Sequence, residues 1–217
     1  MAYLSILFVG LLLGMKHATE ADHLAAVATL ATRQGTLPQA LRQGVAWGVG
    51  HTVVLLAVGA IVIMLGSAVP ARLAQVLEFC VGIMLVALGS DVLRRVPQTQ
   101  EALRTPSGHG GGRLPLRAFF VGMVHGMAGS AALVILSLAS APSIASGLLY
   151  ICVFGVGSIV GMAILSTAIA VPLRLSARSL SRLSIGLNAG IGTFTCVLGL
   201  VIMYRIGVVD GLLRAAA

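Results

Sequence analysis

Six long apolar stretches, separated by short polar segments, run the length of the chain at about 3 to 30, 43 to 66, 71 to 93, 116 to 140, 144 to 171 and 183 to 204. Crossing a bilayer core of about 30 Å takes about 20 apolar residues of α-helix, so the pattern predicts six spans. The alternation of a membrane β-barrel is absent, and glycines inside long aliphatic runs suit closely packed membrane helices. The expected fold is all-α: a polytopic membrane protein. No basic segment precedes the first run and no clear cleavage site follows it, so it is expected to be retained rather than removed as a signal peptide.

Composition agrees, with 58% of the 217 residues hydrophobic and 9% charged, against about a quarter charged in soluble domains. The net charge of +8 raises the question of a nucleic-acid partner, but the arginines are distributed as a topology signal. With six spans, Arg33, Arg42, Arg94, Arg95, Arg104, Arg113, Arg117, Arg174, Arg178 and Arg182 fall on one side, and Arg72, Arg205 and Arg214 on the other. The excess of positive charge on cytoplasmic loops then places both termini outside the cytoplasm. The expected surroundings are membrane lipid, with no nucleic acid. Cys80, Cys152 and Cys196 stand singly inside apolar runs without CxxC spacing, which points to packing rather than a disulfide framework.

The two halves of the chain answer each other. GMKH, ending at His17, matches GMVH, ending at His125; GVGHTVV around His51 matches GVGSIVG around Ser158; Glu78, Gly82 and Gly89 match Asn188, Gly192 and Gly199. The offsets are 108, 107 and 110 residues, in the same order. Three helices per half would bring the second copy into the membrane from the opposite side, the inverted-repeat plan of many secondary transporters, whose sites lie at midplane beside interrupted helices. The expected division is residues 1–95 as a first three-helix repeat, 96–115 as a flexible cytoplasmic linker and 116–217 as a second repeat.

Into the first apolar stretch the chain sets GMKHATEADHLAAV, from Gly14 to Val27. A charged side chain at the centre of a membrane helix costs about 2.5–3.5 kcal/mol on insertion scales, so a cluster of them calls for partners or a function. The candidates are His17, Glu20, Asp22, His23, His51, Glu78 and His125, with Asn188 as a neutral companion. Imidazole nitrogens mixed with carboxylates suit a borderline divalent transition metal, whereas an all-oxygen set suits Mg²⁺ or Ca²⁺. On an unbroken helix His17, Glu20 and His23 share a face and Asp22 points away. Either Asp22 is not a ligand or the helix is broken near Ala18 to Ala21, and the break is the favoured reading, because a break at membrane depth is tolerated where it lines a cavity. Blander roles are open for some of these groups: a packing role for His125, an ion pair of Lys16 with Glu20, and an interfacial position for Glu78. Asp91 beside Arg94 and Arg95 is expected to be structural, and His109 in SGHGGG is a lone loop histidine.

At these residues the chain resembles the nickel/cobalt transporter family, whose hallmark is a His-x4-Asp-His motif in a membrane helix; here it reads His17, ATEA, Asp22, His23. GVGHTVV, with His51, looks like that family's second signature, and GMVHGMAGSAAL, from Gly122 to Leu133, is similar to a smaller branch of urease-accessory-type membrane proteins. The resemblance implies that His17, Asp22 and His23 recognise Ni²⁺ or Co²⁺ with His51 nearby; whether nickel-enzyme maturation proteins are partners stays open. The chain departs from the pattern in having six expected spans rather than eight, Glu20 where Asp is common, and no histidine-rich loop, which leaves import and export both open.

The expected function is therefore a secondary transporter of Ni²⁺ or Co²⁺ across a prokaryotic cytoplasmic (inner) membrane. It would hold no permanent cofactor and would bind the metal as cargo through His17, His23, His51 and Asp22, with Glu78 offsetting charge or relaying protons. No GxxxxGK[ST] or HExxH segment is present, so the chain is not expected to be an enzyme. A redox conduit would need cysteines at corresponding positions of the halves, and there are none. The alternative kept open is a six-helix exporter of small organic cations or amino acids.

Overall fold

The computed structural model describes residues 2–32, 36–65, 69–102, 115–140, 143–179 and 181–213. Seven α-helices follow in order: α1 (Ala2–His17), α2 (Ala21–Ala31), α3 (Leu37–Leu65), α4 (Ala71–Ala102), α5 (Leu116–Ser140), α6 (Ile144–Ser179) and α7 (Ser181–Tyr204). A π-helical turn, Arg205–Val209, continues α7, and no strand occurs among the described residues. Among the described residues, four helical segments are long and apolar enough to cross a membrane: Leu37–Leu65, Ala71–Val96, Ile144–Ser176 and Leu183–Val209. The first apolar stretch is two shorter helices, α1 and α2, interrupted where the ionisable residues cluster.

Three helices outrun the expected stretches, α3 at its N-terminal end, where it starts at Leu37, and α4 and α6 at their C-terminal ends. α4 continues through Val96 to Ala102, because the QTQEA run is made of residues that favour helix or tolerate it; this shortens the expected linker from its N-terminal end. Residues 103–114 of that segment, with His109, lie outside the described residues. α6 passes through Pro172 and reaches Ser179, although a proline removes one backbone bond and normally marks a helix end.

The helices pack through backbone contacts that only glycine permits. α3 lies against both α5 and α6, α1 against α6, and α4 against α7, while the short α2 is wedged beside α4, α6 and α7. Without a hydrophobic drive between helices in lipid, close packing of small residues supplies the attraction. The contacts come in matched pairs: Gly14 lies on the backbone of Phe154 and Gly122 on that of Trp47, Gly157 on Leu11 and Gly50 on Phe119, Gly82 on Gly199 and Gly192 on Gly89. A buried core of Ala25, Ala26, Val27, Leu30, Trp47, Leu85 and Met162 surrounds α2. The short helix that carries Asp22 and His23 is thus held from several sides.

Candidate metal centre

The site begins with the way α1 stops. The Thr19 and Glu20 N–H groups donate to the carbonyls of Lys16 and His17 at 2.9 and 3.1 Å, and the Thr19 hydroxyl donates to the Lys16 carbonyl at 2.6 Å. These short-range bonds tighten the last turn and satisfy carbonyls that a helix end leaves free. Glu20 is then extended, with φ −65° and ψ 151°, and α2 restarts at Ala21. Asp22 sits in the first turn of α2, where its Oδ1 accepts the His23 N–H at 2.9 Å, a position in which the helix dipole favours negative charge. The break re-aims the chain so that His17, Asp22 and His23 all face one interior site.

Four imidazoles meet there, from α1, α2, α3 and α5. The ring centroids of His17 and His23 are 4.3 Å apart, His23 and His125 4.0 Å, His17 and His51 5.3 Å, and His23 and His51 5.3 Å. His23, His51 and His125 are each at most 1% exposed. Gly126, next to His125, lies directly on the His51 backbone, so the α3–α5 contact itself sets the spacing of those two rings.

The carboxylates orient the rings. Glu20 Oε1 is 2.9 Å from His17 Nδ1, Asp22 Oδ1 is 3.0 Å from His23 Nδ1, and Asp22 Oδ2 is 2.9 Å from His125 Nε2. An ionised carboxylate only accepts, so each of those ring nitrogens donates its N–H and the opposite nitrogen keeps its lone pair. Those opposite atoms, His17 Nε2, His23 Nε2 and His125 Nδ1, are buried without a hydrogen-bond partner, as are both nitrogens of His51. A buried unpaired polar group costs about 1–3 kcal/mol, so five of them in one place oppose folding unless a ligand engages them.

Two sets of side chains offer converging ligand atoms, each set with all atoms within 4.8 Å of one another: His17 with His23 and His51, and Asp22 with His23 and His125. Ligand atoms sharing a tetrahedral metal at about 2.1 Å stand about 3.4 Å apart, so closing on an ion takes side-chain shifts of about an ångström or less. The donor set is mainly imidazole, the chemistry of borderline first-row divalent ions. Orientation of ligating histidines by carboxylates on their far nitrogens is the usual support of such a site.

The remaining candidates are placed as follows. Glu20 joins His17 rather than Lys16, and Asp22 joins His125 across 103 positions of sequence. Glu78 belongs to neither ligand set but lines the adjoining cavity of ≈ 390 Å³, together with His17, Glu20, Asp22, His23 and His125. Asn188 is not among that cavity's lining, and Asp91 pairs with Arg95 and Arg117, each at 3.1 Å. The three cysteines are free. Sequence reasoning missed Trp47, whose ring lies 5.5 Å from His23 and 5.7 Å from His125; it is the chain's sole tryptophan, a signal that was there to read. It also missed Arg205 and Asp210, which line the cavity opposite the imidazoles.

An all-helical chain with four helices able to cross a membrane, packed around buried imidazoles that two carboxylates engage, is a polytopic membrane protein with an interior polar site. The urease accessory protein UreH of Bacillus sp. (strain TB-90) is 36% identical over 226 residues, spanning 97% of this chain and 96% of that protein. The chain belongs to the UreH family of urease accessory proteins. No family model and no solved structure matches it.

Proposed function

We propose that the chain is a secondary carrier for Ni²⁺ or Co²⁺ in a prokaryotic cytoplasmic membrane, taking the metal up for the maturation of a nickel enzyme. The observation that carries this reading is the convergence of His17, His23 and His51, which bring one ring nitrogen each within 4.8 Å of the others and each keep a buried ring nitrogen without a hydrogen-bond partner. The relative's name ties the family to urease, and an accessory role is a non-catalytic one. The metal is cargo: the His17, His23 and His51 nitrogens take it from water, Asp22 and Glu20 hold the rings in the ligating tautomer, and His125 with Asp22 offers a neighbouring position.

The carrier would consist of two inverted three-helix repeats, residues 1–95 and 116–217, forming six spans with the broken α1–α2 and α5 as counterparts. The matched contacts support this. Exchanging the halves turns Gly14–Phe154 into Gly122–Trp47, Gly157–Leu11 into Gly50–Phe119, and Gly82–Gly199 into Gly192–Gly89. Rocking of one repeat against the other would expose the site alternately to either side. The exposed end of the cavity, at Glu78 near the start of α4, lies about 25 Å along the helix from Arg94 and Arg95. With the arginine-rich side in the cytoplasm, the cavity faces outward, as uptake requires.

The test is metal accumulation in cells expressing the wild type, His17→Ala, His23→Ala or Asp22→Asn, supplied with Ni²⁺, Co²⁺ or Zn²⁺. Wild type should accumulate Ni²⁺ or Co²⁺ and the variants should stay near background. Full transport by the variants would reject the site, and metal depletion by the wild type would reverse the direction. Uptake of a basic amino acid instead of metal would favour the organic-cation carrier.

A further inference from the structure

The whole chain has six acidic residues against a net charge of +8, yet Glu20, Asp22, Glu78 and Asp210 all line one cavity. The inner two are engaged, since Glu20 holds His17 and Asp22 holds His23 and His125. The outer two are not: no ion pair within 4.0 Å joins Glu78 or Asp210 to any basic group among the described residues. Arg205 lines the same outer end, and all three of these residues are exposed, while His23 and His125, deeper in the same cavity, are buried with Nε2 and Nδ1 unpartnered. The cavity therefore grades from exposed, unengaged carboxylates to buried, unengaged imidazoles.

The backbone is shaped to produce this arrangement. On an α-helix, residues five apart point about 140° away from each other. The π-helical turn Arg205–Val209 replaces that register, and the Asp210 N–H donates to the Arg205 carbonyl at 2.9 Å, which stacks the two residues on one side. Such π turns recur at functional sites. Gly207 inside the turn packs against Phe79 of α4, beside Glu78, which holds the widened turn over the cavity.

We propose that Glu78 and Asp210 form a second, outer cation position that captures a hydrated divalent ion before it reaches the imidazoles, and that Arg205 competes with the ion for these two carboxylates and so keeps weaker cations out. The proposal rests on the transport reading above and adds a station to it. Oxygen donors discriminate poorly among hydrated divalent ions, whereas imidazole favours borderline metals. The outer position therefore accepts Mg²⁺ as well as Ni²⁺, and selection falls to the inner one. Arg205 raises the charge an ion needs in order to enter.

The experiment measures initial rates of Ni²⁺ uptake into proteoliposomes containing the full chain, against Ni²⁺ concentration, with and without excess Mg²⁺. For wild type, Mg²⁺ and added salt should raise the KM for Ni²⁺ and leave the maximal rate alone. The double variant Glu78→Gln with Asp210→Asn should show a KM raised about tenfold, as expected for loss of a focusing field, with a similar maximal rate and little response to Mg²⁺. Arg205→Gln should lower the KM and make inhibition by Mg²⁺ stronger. Equilibrium Ni²⁺ binding at the imidazoles, read by Trp47 fluorescence, should be unchanged in both variants, which also reports correct folding. A double variant with the KM and Mg²⁺ response of wild type would overturn the outer position. So would an Arg205→Gln protein with unchanged Mg²⁺ inhibition. A wild-type protein that binds Ni²⁺ but does not transport it would overturn the carrier reading on which the outer position rests.

Discussion

Replacing Gly126 by alanine perturbs the candidate metal centre without touching any ligand. The added Cβ would stand 2.5 Å from the His51 carbonyl oxygen and 3.1 Å from the His51 Cα, where ordinary contact begins at 3.4 Å. About 0.9 Å must therefore be found, and both atoms are backbone, so no side chain can swing aside and α5 must lift from α3. Overpacking of this kind costs about 1–3 kcal/mol. The same displacement loosens the second ligand set: it carries His125, whose ring is 6.3 Å from that of His51, away from Asp22 and His23 on α2, with which it shares ligand atoms now within 4.8 Å of one another. If the ion must pull the helices back together, the binding constant falls by about 10- to 100-fold.

Trp47 provides the assay. It is fully buried beside His23 and His125, so a paramagnetic Ni²⁺ or Co²⁺ in the cluster quenches its emission, and titration of the purified protein yields Kd. Gly186→Ala is the control, because a Cβ there meets nothing within 4 Å; it should leave Kd unchanged and favour helix by about 0.5–1 kcal/mol. A Gly126→Ala protein that keeps its helical content and binds metal with the wild-type Kd would refute the claim that the α3–α5 contact places His125 for metal binding.

Asp22→Asn should weaken metal binding by about 10- to 100-fold, the usual effect of removing an orienting partner, because one change removes the negative charge and leaves a single accepting oxygen where His23 and His125 had one each. Glu20→Gln should cost less, since Glu20 serves His17 alone and its side chain is 58% exposed; the same titration orders the two, and an effect of Glu20→Gln as large as that of Asp22→Asn would contradict the assignment. Uptake should fall on external acidification, since a protonated ring has no lone pair and the metal must displace the proton. A rate that rises on acidification from pH 8 to about 5 would reverse that sign.

The all-helical, lipid-facing character was legible because it is written in long apolar runs. The helix break was legible too, because Asp22 and His23 adjoin in sequence and cannot share a face with His17 unless the chain turns between them; α1 ends at His17 and α2 begins at Ala21. The pairing of Asp22 with His125 was not, since it depends on how α2 and α5 meet across the packed bundle. Nor was the partner of Glu20: spacing alone allows Lys16 or His17, and the extended φ/ψ at Glu20 decides for His17. Arg205 and Asp210 lie beyond the last apolar run, where a π turn brings them inward, and no residue pattern in RIGVVD announces that geometry. The ends of α4 and α6 differ from expectation for a simpler reason, that hydropathy marks where a helix leaves lipid and not where its hydrogen bonds stop.

The most direct measurement is X-ray absorption at the nickel edge on the metal-loaded protein, wild type and His51→Ala. The account predicts a nitrogen-rich first shell with the outer-shell scattering of three imidazole rings, reduced by one ring when His51 is removed. A shell of oxygens without imidazole scattering, or a spectrum that His51→Ala leaves unchanged, would contradict the proposal that His17, His23 and His51 hold the ion.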